Sequence, residues 1–329
     1  MVGMEKAVED QAFDPIPNED FLETAGPDDA GMLRQRFLAF NTIVTLQAFG
    51  DERRALAAFD EARAASRRFE RLFSRTLPRS DIARLNAAHG ATVEIAPETA
   101  DLLTRALFYC ADSCGRFDIT MGAAVRLWDL RRGIVPSQAA LDEALAHVDW
   151  RGISVWEDEG AWRAQLADAQ ASVDVGGIAK GWIADALSDA LVAHGVVDFI
   201  VNLGGNVVAH GEKPGGVPWN IGVQDPRDKN AVVCAMPLRD ASAVTSGIYE
   251  RCCTVGDRFY HHILTPETGM PAQTDVAGVT VIADRSIDAE GYSTTLLALG
   301  AKRGQAFAQA RPAIRKAIFV GRDGQVISK

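Results

Sequence analysis

Residues 40–49, FNTIVTLQAF, alternate apolar and polar positions and are rich in β-branched residues, the pattern of a half-buried strand. DERRALAAFDEARAASRRFERLFSR follows, with apolar residues three and four apart and no glycine or proline, which predicts one long helix. SDIARLNAAHG predicts a short helix opened by Ser80 and closed by Gly90. APETADLLTRALFYCADSCG predicts another, beginning near Pro97 or Thr99 and ending at Gly115. RFDITMGAAVRLWDL is expected as a turn entering a helix, and PSQAALDEALAHV (136–148) as a helix. ISVWEDEGAWRAQL (153–166) predicts a hairpin turning at Asp158, Glu159 and Gly160.

Beyond this point strands succeed one another: VVDFIVNLGGNVVAHG, WNIGVQDP, AVVCAMPL and the stretch before SGIYER. The chain ends in a predicted strand (VAGVTVIA), a helix (GYSTTLLALGAKRGQAFAQA) and a hairpin (AIFVGRDGQVIS). Helices gather in the first half and adjacent strands in the second, which points to an α+β fold with a largely antiparallel sheet rather than regular βαβ winding. Residues 1–32 are acidic and proline-containing, and are expected to be a mobile or loosely docked arm before a domain spanning residues 33–329.

Of the 329 residues, 47% are hydrophobic, enough for a large core. The net charge of −10 argues against nucleic acid, whose backbone needs a basic face. Neither a basic–apolar leader nor a run of 18 apolar residues is present, so no membrane span is expected and the protein is expected to be cytoplasmic. Five cysteines, an odd number without metal-ligand spacing, are expected to be structural thiols.

Four segments could carry chemistry. SVDVGGIAKGW (172–182) fits neither a Walker loop nor a dinucleotide fingerprint. It predicts a strand end, a tight Gly176–Gly177 turn and a helix starting near Lys180. Backbone N–H groups at a helix start favour anions, and a lysine there adds charge; a close-packed turn explains the glycines equally well. NLGGNVVAHG has a second glycine pair. AVTSGIYERCCTVGDRFYHHILTPETGMP (243–271) holds two adjacent histidines, of which at most one can face a given pocket if they lie in a strand. In IDAEGYSTTLLALG, Glu290 and Thr294 stand four apart on one helix face. A carboxylate and hydroxyl so placed can hold a hard cation, or serve only in capping.

Together VDVGGIAKGW, NLGGNV, TSGIYER, HHILTPETG and AEGYSTTLLALG, with FDITMGAAVRLW and SRTLPRSDIARLN earlier, resemble the ApbE family of FAD:protein FMN transferases, in order and from about residue 38 to the C-terminus. The resemblance implies a T-fold-like arrangement of two intertwined subdomains and a Mg²⁺-dependent reaction. FAD would be cleaved, FMN passed to a Thr or Ser hydroxyl of an acceptor protein, and AMP released; some members instead hydrolyse FAD, and a flavin-binding protein without turnover is the further alternative. By motif position, His262 would be the base and Glu290, Thr294 and the Gly177 carbonyl would hold the metal. Phe40, Thr76, Phe117, Asp118, Asp174, Lys180, Ser246 and Thr265 would contact FAD. The chain departs from the family pattern in carrying Glu290 where an Asp is usual, Thr265 for Asp, Thr76 for a flavin-stacking Tyr, and Phe40-Asn41-Thr42 for Met-Gly-Thr. Trp128 and Phe40 are the candidates for replacement stacking.

Overall fold

The computed structural model describes residues 15–328. β1 (Leu22–Ala25) pairs antiparallel with β2 (Leu33–Ala39), which turns through Phe40 and Asn41 into β3 (Thr42–Phe49). Both turn residues have positive φ, 54° and 58°, which a two-residue hairpin turn requires. The strand expected from residue 40 therefore starts at Thr42, and Phe40 is a turn residue. Part of the segment expected to be a mobile arm lies in the sheet: β1 forms its edge, Ile16 is buried, and Arg67 donates to the Glu19 carbonyl at 2.6 Å. Residues 1–14 lie outside the described residues.

α1 (Glu52–Phe73) is the predicted long helix, with Asp51 accepting from the Arg54 N–H at its start. α2 (Asp81–Ala87) is capped by Ser80 as expected, followed by β4 (Val93–Ile95). α3 (Pro97–Asp112) begins with Pro97 at its first turn, where a missing N–H costs nothing. The short α4 (Gly122–Arg126), α5 (Gln138–Leu145) and the hairpin of β5 (Ile153–Asp158) and β6 (Ala161–Leu166) follow. β4, β6 and β5 make a small separate sheet.

The strand expected at SVDV is absent: residue 172 forms only an isolated parallel bridge to Met121, because the segment turns at once into α6 (Ala179–Ala193). β7 (Asp198–Leu203) and β8 (Asn206–His210) return to the main sheet through the Gly204–Gly205 turn. β9 (Trp219–Asp225) and β10 (Asp228–Leu238) form a separate hairpin. β11 (Ala241–Gly247) rejoins the main sheet, and β12 (Cys252–Val255) and β13 (Arg258–His261) form another free-standing hairpin. β14 (Val276–Ala283), α7 (Ser286–Gln309), β15 (Ile314–Gly321) and β16 (Val326–Ser328) complete the chain.

The main sheet has nine strands in the order β1-β2-β3-β7-β8-β11-β14-β15-β16, every neighbouring pair antiparallel. Strand alternation decides what each face buries. In β15, Ala317 and Phe319 join the core under α7, while Ile318 and Val320 join Trp219, Val223 and Met236 beneath the β9–β10 hairpin. β14 lies between both layers, and all eight of its residues are buried. α1 and α6 pack over β2, β3 and β7. No helix among the described residues is long and apolar enough to cross a membrane.

Candidate functional site

α6 and α7 meet at their N-termini. A Cβ on Gly181 would lie 2.7 Å from the Ser286 carbonyl oxygen and 2.9 Å from the Ile287 Cα, so only glycine permits this approach. The contact places the start of each helix beside a carboxylate of the other. Asp185 of α6 accepts from the Ser286 and Ile287 N–H groups at 2.7 and 3.0 Å. Glu290 of α7 accepts from the Gly181 N–H through Oε2. Each helix thus caps the other, satisfying N–H groups that a helix start leaves without partners.

Glu290 is buried, and its Oε1 lies 3.1 Å from Lys180 Nζ. The same ammonium donates to Asn206 Oδ1 at 2.9 Å. Asn206 is buried at the start of β8, and its Nδ2 has no partner among the described residues. Lys180, in the first turn of α6, is consequently held between the two helices and the sheet end. Asn206, in NLGGNV, is a site residue that the sequence does not single out, because it stands 26 residues from Lys180, beyond any local pattern.

Thr294 lies one turn from Glu290, half-buried, and its hydroxyl makes no hydrogen bond among the described residues. The Gly177 carbonyl also accepts none from the described backbone, because the N–H four residues on, at Gly181, is given to Glu290. Carboxylate, hydroxyl and carbonyl are the hard oxygens that Mg²⁺ takes, usually with one or two carboxylates and several waters. A carboxylate has about four lone-pair positions, so Glu290 can keep its N–H bond and still accept a cation. These residues fit the ion. Ser246, at the end of β11, joins the same face through Ser293, hydroxyl to hydroxyl at 2.8 Å.

The two histidines face opposite ways. His261 is buried; its Nε2–H donates to the Ala272 carbonyl at 3.2 Å and its Nδ1 accepts from the Ile263 N–H at 3.3 Å. Both nitrogens are used, which marks a structural residue. His262 is half-buried, with Nδ1 3.2 Å from the Arg251 carbonyl. A carbonyl only accepts, so the neutral ring carries its proton on Nδ1 and presents a lone pair at Nε2. Burial, then the Arg251 cation, push its pKa from 6.5 down to about 3, with Lys180 adding to the effect. Lys180 and His262 therefore share one electrostatic neighbourhood. Glu250 shares it too: although the residue is exposed, the packing around its carboxyl raises its pKa, opposed by Lys180 and Arg251. Glu250 also lines a cavity of about 270 Å³ with Asn202, Gly204, Gly205 and Thr245.

The remaining predicted residues divide. Asp174 accepts from the Gly176 N–H at 2.9 Å, shaping the turn, and pairs with Arg75 Nε at 3.2 Å. Thr76, next to Arg75, is exposed and bonded to Ser74. The Phe117 ring is buried beneath the turn, 3.2 Å from where a Gly177 Cβ would be. Asp118 is turned inward: Thr120 donates to it from backbone and hydroxyl, and the Trp150 N–H from further off. Phe40 is at the β2–β3 turn, its N–H donating to Glu70 at 3.1 Å. Thr265 closes a turn with Thr268, hydroxyl to hydroxyl at 2.7 Å, and Trp128 Nε1 donates to Gly269 in that turn at 3.1 Å. Trp128 also lies 5.7 Å from the Tyr260 ring, two residues before His262. A separate cleft, lined by Arg84, Glu94 and Trp162, contains none of the predicted residues.

Residues 40–319 match the family described as the ApbE family. The chain is 38% identical over 290 residues to a Treponema pallidum protein named FAD:protein FMN transferase, covering 82% of this chain and 78% of that one. A Klebsiella pneumoniae protein of the same name is 32% identical over 285 residues, covering 83% of this chain and 86% of that one. Among solved structures, the ApbE protein of Thermotoga maritima superposes with a TM-score of 0.81 at 29% identity, covering 90% of this chain and 96% of that one.

Proposed function

The chain belongs to the ApbE family, and we propose that it is an FAD:protein FMN transferase that moves FMN from FAD to a Thr or Ser hydroxyl of an acceptor protein and releases AMP. The observation that carries this reading is the pairing of an electrostatically placed lysine with a histidine whose free nitrogen is an acceptor. Lys180, at the positive start of the α6 dipole, favours an anion, here the FAD diphosphate. The acceptor hydroxyl oxygen attacks the phosphorus of the FMN half while its proton passes to His262 Nε2. The phosphorus–oxygen bond to the AMP half breaks, and AMP leaves carrying that oxygen. Mg²⁺, held by Glu290, Thr294 and the Gly177 carbonyl, would offset the negative charge gathering on the diphosphate. Phosphoryl transfer is mainly positioning and charge stabilisation, so few residues suffice.

His262 begins as a weak base because it is buried and, secondly, because the Arg251 and Lys180 charges act on it. Bringing the diphosphate beside those cations offsets their charge and raises the affinity of Nε2 for a proton. The substrate thereby activates the base that acts on its co-substrate.

The test is AMP release from FAD with and without Mg²⁺, beside a Thr-containing peptide scored by in-gel flavin fluorescence. Mg²⁺-dependent AMP together with a fluorescent peptide is the expected result. AMP without labelling would make water the acceptor, and tight FAD binding without AMP would leave a flavin-binding protein.

A further inference from the structure

Most arginines on this acidic protein are engaged. Arg84 pairs with Asp81, Arg227 with Asp225, Arg285 with Asp189 and Arg311 with Asp112. Five exposed arginines around the β12–β13 hairpin differ: Arg131, Arg132, Arg251, Arg258 and Arg322 form no side-chain ion pair or hydrogen bond among the described residues. Arg251 precedes the hairpin and Arg258 begins its second strand. Arg322 reaches from the β15–β16 turn to 6.0 Å from the Phe259 ring. Arg131 and Arg132 belong to the loop whose Gly133 lies against Val255, 3.6 Å from its side chain to an added Cβ.

The neighbouring acids offset this charge only in part. Asp129 Oδ1 accepts from the Arg132 N–H at 3.1 Å and Asp323 Oδ1 from the Gln325 N–H at 3.0 Å, so both are turned onto their own loops. The Glu250 carboxyl lies within the fields of Lys180 and Arg251 and so offsets part of the Arg251 charge. Asp257 at the hairpin tip, Glu267 on the turn after His262 and Asp323 beside Arg322 are exposed acids. Val255 and Phe259 are 40% and 42% exposed but lie on opposite faces of the hairpin: Val255 shares its face with its cross-strand partner Arg258 and lies against the loop of Arg131 and Arg132, whereas Phe259 lies by Arg322 on the other. β12 and β13 pair only with each other, and β13 runs directly into His262.

We infer that this hairpin and its arginines are the docking surface for the acceptor protein, and that they receive an acidic, extended segment carrying the Thr or Ser. The inference rests on the transferase reading, since His262 is what such a segment must reach. Charge complementarity selects the occupant: unpaired guanidiniums attract carboxylates and bind them bidentately, and they steer encounter through a field that is otherwise repulsive on a protein of net charge −10. Val255, on the face that carries Arg258, supplies apolar contact, and the hairpin's edges supply backbone donors and acceptors for an added strand.

Two fluorescein-labelled Thr peptides of equal length, one flanked by Asp and Glu and the other by Ser and Gln, test this by anisotropy on the full chain. The acidic peptide is expected to bind about tenfold more tightly, with the advantage shrinking as salt rises from about 0.02 M to about 0.3 M. Arg131→Glu with Arg132→Glu and Arg258→Glu should abolish that preference and raise KM for the acidic peptide about tenfold, with kcat, FAD affinity and AMP release to water unchanged. Equal binding of the two peptides to the wild type, or a preference that survives charge reversal, overturns the inference. So does salt-sensitive binding of phosphatidylserine vesicles that displaces the acidic peptide, which would make the patch a membrane contact. FAD affinity and AMP release report on the transferase reading, and the anisotropy does not require turnover, so the two fail separately.

Discussion

Two adjacent histidines end in opposite roles because a strand sends successive side chains to opposite faces. His261 spends both ring nitrogens on the backbone, whereas His262 spends one. Replacing His262 with Gln should lower AMP release roughly 100- to 10,000-fold, the usual scale for a general base. FAD affinity, measured by flavin fluorescence quenching, should change little. The same ring affects stability. At pH 7 it is neutral whether folded or unfolded; below 6.5 the unfolded ring takes a proton that the folded one, held near 3, refuses. Stability therefore falls as pH drops from 6.5 towards 3. His262→Gln should flatten that part of a plot of Tm against pH. The alternation was legible in the sequence, as was the position of His262 in its motif. The carbonyl that fixes its tautomer was not, because it belongs to Arg251, eleven residues away across a hairpin.

At the scale of elements, the junction of α6 with α7 governs the site. Gly181→Ala puts a methyl group against the backbone of Ser286 and Ile287 rather than against a movable side-chain end. It should cost about 1–3 kcal/mol, the range for overpacking a tight contact, read from urea denaturation. If Glu290 holds Mg²⁺ as proposed, the substitution should also weaken Mg²⁺ activation, because its carboxylate moves with the junction. The long helices and capped starts were legible: Ser80 and the proline at α3 behave as sequence rules require. β2 was missed because its inward positions include Gln35, which is 2% exposed and donates to Asp60 at 3.4 Å. A buried polar residue among outward arginines breaks the alternation by which a strand is recognised.

Across the whole molecule, the sheet runs from β1 at one edge to β16 at the other, and both edge strands are short, at four and three residues. Removing residues 1–31 would strip β1 from the seven-residue β2 and take Glu19 from Arg67 and Arg71. Loss of Ile16 burial alone is worth about 2 kcal/mol, so Tm should fall by several degrees. Aggregation, followed by light scattering, should rise with the longer edge exposed. The α+β class and antiparallel sheet were legible because strands cluster late in the chain. What brings Lys180, Asn206 and Glu290 together was not, since sheet order joins strands that sequence separates. One consequence follows from that shared ammonium. An anion that draws Lys180 aside leaves the Glu290 charge uncompensated, and so deepens the well for a cation. A cation settled at Glu290 repels Lys180 towards the anion. With FAD and Mg²⁺ bound as proposed, nucleotide and metal would bind with positive coupling, each tightening the other by the same factor, and neither alone would gain the full affinity of the pair.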